Sequence, residues 1–575
     1  MSFANLKSSR MLVAFVAAMV VLTLAWAAVP AQAQTPTTVY AFPGQPGPYN
    51  PNIEAIAQGR DGNLYLTSAG GNGGAANCTV TYCGEAFYIT PSGTVTDVFD
   101  FSNNNCSVDN CGNGAFGGLT LGVDGNFYGA FYYGGTTGNN GEVFKLTPAG
   151  VLTALHNFTG AGDGSHPYGA PIQATNGTFY GTTSSAANNS TAYSVTSAGV
   201  FTTLHTFTGT DGQTVYAPLV QGTDGNFYGD TAAGGTSNNG VIFKMTSSGT
   251  VTVLHNFTGT DGSNGSFPLI QASDGNFYGS TYAGGTAGAG VIFKITSSGT
   301  YTVLYNINGT TDGNGPWGSL VQATDGKLYG ITSNMEIGLY GTIYSVTTSG
   351  TFTTLYSFTG STDGGDPLSP LRQHTNGLLY GTTNVGGDVG VCYSVVNING
   401  QPVLVNGCGL VYSLNIGKAA FASLVSTSGK EGAKVGILGQ GFSSSSVVKF
   451  GGTQATTVTL SGTTFLTATV PSAALTGSVT VTTGSTTLTS NTTFRVTPKI
   501  TSFSPSSGPV GTLVTINGTG LMQATKVTFN GKSASFTAVS DIEVTATVPT
   551  GATTGKIKVT TKGGSATSAT SFTVN

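Results

Sequence analysis

An aspartate recurs at Asp163, Asp211, Asp261, Asp312 and Asp363, each time in a stretch rich in Gly and Thr. Four of these stretches run on to an aromatic residue near proline: Tyr168 in "HPYGAP", Tyr216 in "VYAP", Phe267 in "SFP" and Trp317 in "GPWG". Aromatic faces beside carboxylate acceptors suit a neutral polyol such as a sugar: the rings cover C–H surface and the carboxylates accept from hydroxyls. No cofactor or metal is expected, although clustered aspartates are also the ligand type that Ca²⁺ takes, which leaves Ca²⁺ as an alternative for the same residues. The structural alternative is that each Asp-Gly makes a turn and each aromatic plugs an interface.

A second aspartate series reads differently. The block Asp/Asn-Gly-x-Leu/Phe-Tyr occurs at Asp61, Asp124, Asn176, Asp224, Asp274, Asp325 and Asn376. Asp-Gly is a hairpin-turn signal, and Asn fills the same turn position with the same side-chain oxygen. A general acid or a charged metal ligand would not survive the change to Asn176 and Asn376, so these positions are read as turns. The tyrosine of the block, as in Tyr228 and Tyr278, is expected to pack between sheets with one partner for its hydroxyl. His156, His205 and His255 share one repeat position, which Tyr305 and Tyr356 fill elsewhere. That exchange reads as partly exposed sheet surface. His166 and His374 stand alone. No nucleophile with a paired base and no Gly-Lys-Ser/Thr or G-x-G-x-x-G phosphate loop is present.

These residues sit in a repeat. The seven blocks are spaced by 63, 52, 48, 50, 51 and 51 residues. One repeat resolves into four strand-like pieces: "PLIQAS", "NFYGST" after the Asp-Gly turn, "VIFKIT" after a Gly-Gly loop, and "TYTVLYNI" after a Ser-Gly turn. Four short strands at a period near fifty are the signature of a propeller blade. "TTVYAF" at 37–42 resembles a fourth strand, and the last repeat stops after "LVYSLN" without one. The expectation is therefore a seven-bladed β-propeller over 35–417, closed by the N-terminal strand 37–42, which leaves no open sheet edge. Strand directions then put the aromatic-bearing loops and the Gly-Gly loops on one face and the Asp-Gly turns on the other. Loops on a rigid scaffold are where binding usually resides.

Composition agrees with short strands and tight turns. Of 575 residues 88 are Gly and only 7% are charged, so helix formers such as Glu and Lys are scarce. Residues 34–418 carry 20 Asp and Glu against 7 Lys and Arg, a net of −13, which argues against nucleic acid as the ligand. Residues 419–575 carry 10 basic against 3 acidic residues, a net of +7. The N-terminus joins Lys7 and Arg10 to the apolar run "MLVAFVAAMVVLTLAWAAV" and the small-residue "AQA" ending at Ala33. This reads as a cleaved secretory signal over 1–33, with no membrane span after cleavage; an uncleaved anchor is the alternative. Six cysteines in an exported chain favour disulfides, paired by proximity as Cys78–Cys83, Cys106–Cys111 and Cys392–Cys408, and zinc-type spacings are absent.

After Gly417 the pattern changes. "SVVKFGG" from Ser446 matches "TKVTFNG" from Thr525, and "LTATVPSAALTGSVTVTT" matches "VTATVPTGATTGKIKVTT". Alternating strands with close-set turns predict two β-sandwich domains, 419–497 and 498–575. The second, with "ITSFSPSSGPVGTLVTINGTGL" from Ile500, resembles an IPT/TIG domain, which implies an immunoglobulin-like fold. The first is a divergent copy with "STSGKEGAKVGILGQGF" in place of the "SPSSGPVG" opening. Over most of 40–415 the G-x-L/F-Y-G block, Gly-Gly loop and "VFK(L/I)T" strand resemble the bacterial GloVer tandem-repeat proteins. That resemblance implies an exported surface protein and supplies no catalytic residues.

The expected function is a secreted or cell-surface, non-enzymatic binding or adhesion protein. Its propeller face would recognise extracellular polysaccharide or a surface protein, with the sandwich domains as spacer and contact modules. One alternative is a polysaccharide lyase or glycosidase using Asp211, Asp261, Asp312 and His166; another is a purely structural surface component.

Overall fold

The computed structural model describes residues 34–43, 56–68, 84–101, 117–136, 138–184, 190–333, 340–387, 393–398 and 401–575. The expected signal segment 1–33 and Cys78, Cys83, Cys106, Cys111 and Cys392 lie outside the described residues. Cys408 is buried and disulfide-bonded.

All regular structure among the described residues is β-strand. Seven antiparallel sheets follow one another along the chain. Sheet 1 comprises Ala57–Gln58, Leu64–Ser68, Glu85–Ile89 and Val95–Asp100. Sheet 2 comprises Thr120–Leu121, Phe127–Phe131, Glu142–Leu146 and Leu152–Asn157. Sheets 3, 4 and 5 repeat this order and begin at Ile172, Val220 and Ile270, and sheet 6 begins at Pro316. Sheet 7 takes Gly365–Pro367, Arg372–Gln373, Leu379–Val385 and Leu410–Leu414 from its own repeat and the N-terminal strand Thr37–Ala41 as its last member. Thr37 pairs with Ser413 and Ala41 with Leu410, antiparallel.

Alternation gives each sheet two apolar faces, because the second and third strands are buried on both sides. Each face packs on the next sheet. Tyr65 stacks on Phe127 at 4.1 Å, Tyr128 on Phe179 at 3.8 Å, Tyr180 on Phe227 at 4.1 Å and Tyr228 on Phe277 at 3.9 Å. Tyr278 then packs with Leu328, and Tyr329 with Leu379. Tyr380 packs with Leu64 of sheet 1, so the packing order is cyclic.

A glutamine clasp runs the same circuit. The amide oxygens of Gln173, Gln221, Gln271, Gln322 and Gln373 accept from Val123, Thr175, Thr223, Ser273 and Thr324 N–H at 2.8–2.9 Å, each on the preceding sheet. Gln58 of sheet 1 accepts from Thr375 N–H of sheet 7 at 3.1 Å. Leu121 holds the clasp position of sheet 2, and there Arg60 reaches across to donate to the Val123 carbonyl at 2.6 Å.

Two sandwiches follow. In each, a four-stranded sheet faces a five-stranded one, with Ser428 and Ser507 opening short parallel pairings to the last strand. Val435, Ile437, Phe450, Leu466 and Phe494 fill the first core, and Val514, Ile516, Phe529, Val544 and Phe572 the second. The first sandwich meets the turn ends of sheets 1 and 7: Thr464 Oγ1 donates to the Arg60 carbonyl at 2.8 Å, and Gln440 Nε2 to Thr375 Oγ1 at 2.8 Å.

Candidate functional site

The turn series resolves as local scaffolding. Asp224 Oδ1 accepts from Asn226 N–H at 3.1 Å, which closes the turn, and Oδ2 accepts from Tyr228 Oη at 2.7 Å. Asp61, Asp124, Asp274 and Asp325 hold Tyr65, Tyr128, Tyr278 and Tyr329 in the same way. Where Asn stands instead, the polarity reverses: Asn176 and Asn376 donate Nδ2–H to Tyr180 and Tyr380 Oη at 3.1 and 2.9 Å. Either residue satisfies a tyrosine hydroxyl that packing removes from water.

The loop aspartates bind the outermost strand. Asp163 accepts from Thr159 N–H at 2.9 Å and Thr159 Oγ1 at 2.7 Å, and lies 3.2 Å from His156 Nε2. Asp211 and Asp261 sit 2.8 and 3.0 Å from His205 and His255 Nε2. Asp312 and Asp363 accept from Tyr305 and Tyr356 Oη at 2.8 and 2.9 Å. This explains the His/Tyr exchange: an Nε2–H and a phenol O–H reach the same carboxylate from the same strand position. The rings also bridge neighbouring sheets. His156 stacks on Phe201 at 3.6 Å, His255 on Tyr301 at 3.9 Å and Tyr305 on Phe352 at 4.2 Å. Burial raises Asp163, but the hydrogen bonds from Thr159 and His156 outweigh it and hold its carboxyl below the usual range. Burial likewise opposes Asp211, and the bonds from Thr208 and His205 again leave it lowered. All five carboxylates are thus engaged within their own loop and strand. Among the described residues no group of three or more His, Cys, Asp or Glu side chains could hold a metal ion.

Three residues beyond each loop aspartate the backbone turns left-handed. His166, Thr214, Asn264, Gly315 and Asp366 have φ of 58°, 57°, 58°, 62° and 51°. For a β-branched residue such as Thr214 this is a costly conformation, held by what surrounds it. The surroundings are two loops. His166, Asn264, Gly315 and Asp366 donate N–H to Asn140, Asn239, Ala289 and Tyr340 carbonyls of the preceding sheet, at 2.7–3.1 Å. His166, Thr214, Asn264 and Gly315 carbonyls accept from Ser184, Ala232, Tyr282 and Ser333 N–H of their own sheet, at 3.0–3.2 Å. The aromatic-bearing loops and the Gly-Gly loops are therefore bonded into one continuous, stiff surface.

Aromatic rings gather on that surface. Tyr168 meets Tyr216 at 5.4 Å and Tyr132 at 5.9 Å, and His166 lies 4.9 Å from Tyr132 and 5.3 Å from Tyr133. On the next sheets Trp317 meets Tyr282 at 5.7 Å and Phe267 at 5.3 Å. Phe267 is buried, so it supports Trp317 from below, while Tyr133 and Tyr282 are 36% and 41% exposed. An open depression of about 440 Å³ lies beside Tyr216, lined by Thr214, Asn238, Asn239 and Asn264 among others. The arrangement offers ring faces next to amide donors and acceptors, and no carboxylate is among the residues that line the depression. Tyr132, Tyr133, Tyr282 and the asparagines were not singled out by the sequence reading. Their signal is slight: an aromatic just before Gly-Gly in "YYGG" and "YAGG". His166 Nδ1 pairs with Ser165 Oγ at 3.0 Å, and burial lowers its pKa.

No curated protein matches the sequence. Among solved structures, SGBP-B from a complex xyloglucan utilization locus in Bacteroides uniformis is 21% identical, over 25% of this chain and 46% of its own, with a TM-score of 0.15. The surface glycan-binding protein PbSGBP-B from Prevotella bryantii is 20% identical, over 27% of this chain and 39% of its own, with a TM-score of 0.18. The chain thus spans less than half the length of either. A fungal alcohol oxidase of the AA5 family, in complex with copper, is 13% identical over 94% of this chain and all of its own, with a TM-score of 0.44. The Gloeobacter/Verrucomicrobia repeat matches residues 27–191 and 184–392, and the IPT/TIG domain matches 421–496 and 498–574. With most of its length in these repeats, the chain belongs to the Gloeobacter/Verrucomicrobia repeat family and carries two IPT/TIG domains behind them.

Proposed function

We propose that the seven sheets are the blades of a seven-bladed β-propeller spanning 35–417, and that its loop face recognises a neutral extracellular polysaccharide. Cyclic packing from sheet 7 back to sheet 1, with the glutamine clasp running the same way, supports the ring. One observation carries the ligand class. Tyr216 lines a depression walled by Asn238, Asn239 and Asn264, Tyr168 meets Tyr216 at 5.4 Å, and the same loop surface carries the exposed Tyr133 and Tyr282, the latter against Trp317. Rings stacked on C–H surface and amides paired with hydroxyls bind sugars without any charged group. In this reading the loop aspartates Asp163, Asp211, Asp261, Asp312 and Asp363 act one step back, fixing the loops that carry Tyr168, Tyr216, Phe267 and Trp317. The chain is exported, the disulfides staple its longer repeats, and the two IPT/TIG domains (419–497 and 498–575) set the propeller's distance and orientation at the cell surface.

The test is a glycan-array screen of the full chain, with reducing ends assayed in the same wells. Neutral polysaccharide is expected to bind without product. Tyr133→Ala and Tyr282→Ala, both at exposed rings, should each weaken binding by roughly tenfold, equivalent to ~1.4 kcal/mol. Binding unchanged in both variants, or release of new reducing ends, would sink the proposal.

A further inference from the structure

The opposite end of the sheets carries a second cavity. It is a half-open cleft with a volume of about 500 Å³, lined by three parts of the chain: the turn ends of sheets 2 to 4, the Val425–Ser428 segment and Arg495 of the first sandwich, and the 560–565 hairpin of the second. Leu121, Ile172 and Val220 give it an apolar wall. Leu121 stands where the other sheets present a clasp glutamine, so that wall departs from the repeat.

Its charged groups do not balance. Arg495 is fixed at the end of the strand Thr486–Val496, its N–H bonded to the Thr427 carbonyl at 2.8 Å. Its guanidinium makes no hydrogen bond or ion pair among the described residues, and its Nε is buried without a partner. Lys562 adds a second cation to the lining. The facing acid is Asp224, whose oxygens are already taken by Asn226 and Tyr228. Two cations against one engaged carboxylate leave one positive charge over an apolar wall. A partly buried guanidinium whose Nε lacks an acceptor gains from a ligand that supplies one, and the fork of its still-accessible terminal nitrogens matches a carboxylate bidentately.

We propose that this cavity is a binding site for a sugar bearing one carboxylate, a uronic acid residue. Its acid group would sit on Arg495, with Lys562 as outer counter-charge, and its ring against Leu121, Ile172 and Val220. The volume suits one or two sugar rings. The site is separate from the loop face, stands independently of the neutral-glycan reading, and needs both sandwiches seated on the sheets. Occupancy therefore fastens three modules together and raises the melting temperature by mass action.

Titration calorimetry on the full chain decides it, with glucuronate and galacturonate as probes against glucose, galactose and inorganic phosphate. A uronate is expected to bind at least tenfold tighter than the matching neutral sugar and tighter than phosphate. Arg495→Met should abolish that preference, Arg495→Lys should recover part of it, and Lys562→Gln, at an exposed position, should weaken uronate binding by a few-fold, less so at high salt. Uronate no tighter than neutral sugar overturns the site; phosphate equal to uronate overturns the sugar assignment. Full uronate affinity in folded Arg495→Met removes the role of the guanidinium. If Arg495→Met does not fold, unchanged affinity in Lys562→Gln at low salt refutes the charge argument.

Discussion

Replacing Glu142 by valine should stabilise the protein, and by an amount that depends on pH. Glu142 opens the third strand of sheet 2, opposite Phe131 and Asn157. It is 7% exposed, and its Oε1 has no partner. Burial pushes its carboxyl from 4.5 up to about 7. The equivalent residue is Val241 in sheet 4 and Val291 in sheet 5, so the fold accepts valine there. The folded pKa lies above the unfolded one, so the folded state holds the proton more tightly. Stability from this group is present in full below about 4.5 and is lost as pH rises through about 7. A rise of this size corresponds to ~3 kcal/mol near neutral pH and almost nothing at pH ~4. If the seven sheets melt as one unit of about 380 residues, 3 kcal/mol corresponds to a melting-temperature gain of roughly 4 °C. The assay is differential scanning calorimetry of both proteins across that pH range. A gain that is the same at pH ~4 and ~7.5 would show that valine packing, not carboxylate desolvation, is responsible. A loss at pH ~7.5 would refute the argument outright.

The repeat itself suggests further tests. Tyr193 and Tyr412 are fully buried with hydroxyls that lack partners, where Phe144, Phe243 and Phe293 occupy the sister positions. Tyr193→Phe or Tyr412→Phe should therefore raise stability by ~1 kcal/mol in denaturant melts. Gln271→Leu leaves the Thr223 N–H unpaired and should cost ~1–2 kcal/mol, measured the same way, whereas Gln271→Glu, which keeps the acceptor, should cost less. His255→Tyr should be nearly neutral, because Tyr305 makes the equivalent bond to Asp312, while Asp261→Ala should loosen the 258–266 loop and speed its amide exchange.

How much of this was legible depends on how local each contact is. The turn role of Asp224 could be read from sequence because the Asn176 and Asn376 exchanges keep the oxygen that closes the turn, and the turn spans four residues. The pairing of His205 with Asp211 was not read, though only six residues separate them, because it depends on the loop folding back along the outer strand. The histidines read as sheet surface, and the aspartates read either as ligand groups or as Asp-Gly turns, neither of which names the histidine or tyrosine they hold. The glutamine clasp was visible as a recurring letter, three residues before each Asp or Asn of the turn in six of seven repeats. Its meaning lies in a bond to another repeat, about fifty residues away. The left-handed residues carried a signal that recurrence hid: His166, Asn264, Gly315 and Asp366 differ from repeat to repeat, yet all are types that tolerate positive φ, and only Thr214 needs its bracketing loops to impose the conformation. The exposed aromatics escaped for a related reason. Tyr133 stands alone at its position and Tyr282 shares its own only with Tyr132, and a reading built on recurrence passes over what most repeats lack.

That last failure has a physical basis. In a cyclic stack every sheet meets the same neighbour on each side, so whatever the ring needs must appear in nearly every repeat. A residue that breaks the pattern is then free of that demand and answers to something outside the stack. Three such breaks lie at the turn ends of sheets 7, 1 and 2. Arg60 lies 4.4 Å from the Phe465 ring of the first sandwich and spans to Val123 where Leu121 has replaced the clasp glutamine. His374 stands where other repeats have Ala or Gly, and its Nε2 lies 2.9 Å from the Gly62 carbonyl. A side chain at Gly62 would collide with Thr464 of the same sandwich, whose hydroxyl donates to the Arg60 carbonyl two residues earlier. The non-repeating residues on this end therefore collect where another module is seated. The same logic, applied to the loop end, picks out Tyr133 and Tyr282: they are exposed, and no segment among the described residues covers them as the sandwich covers Arg60. Among the described residues nothing of this chain answers to Tyr133 and Tyr282, and these are the two rings whose replacement tests the proposed glycan site.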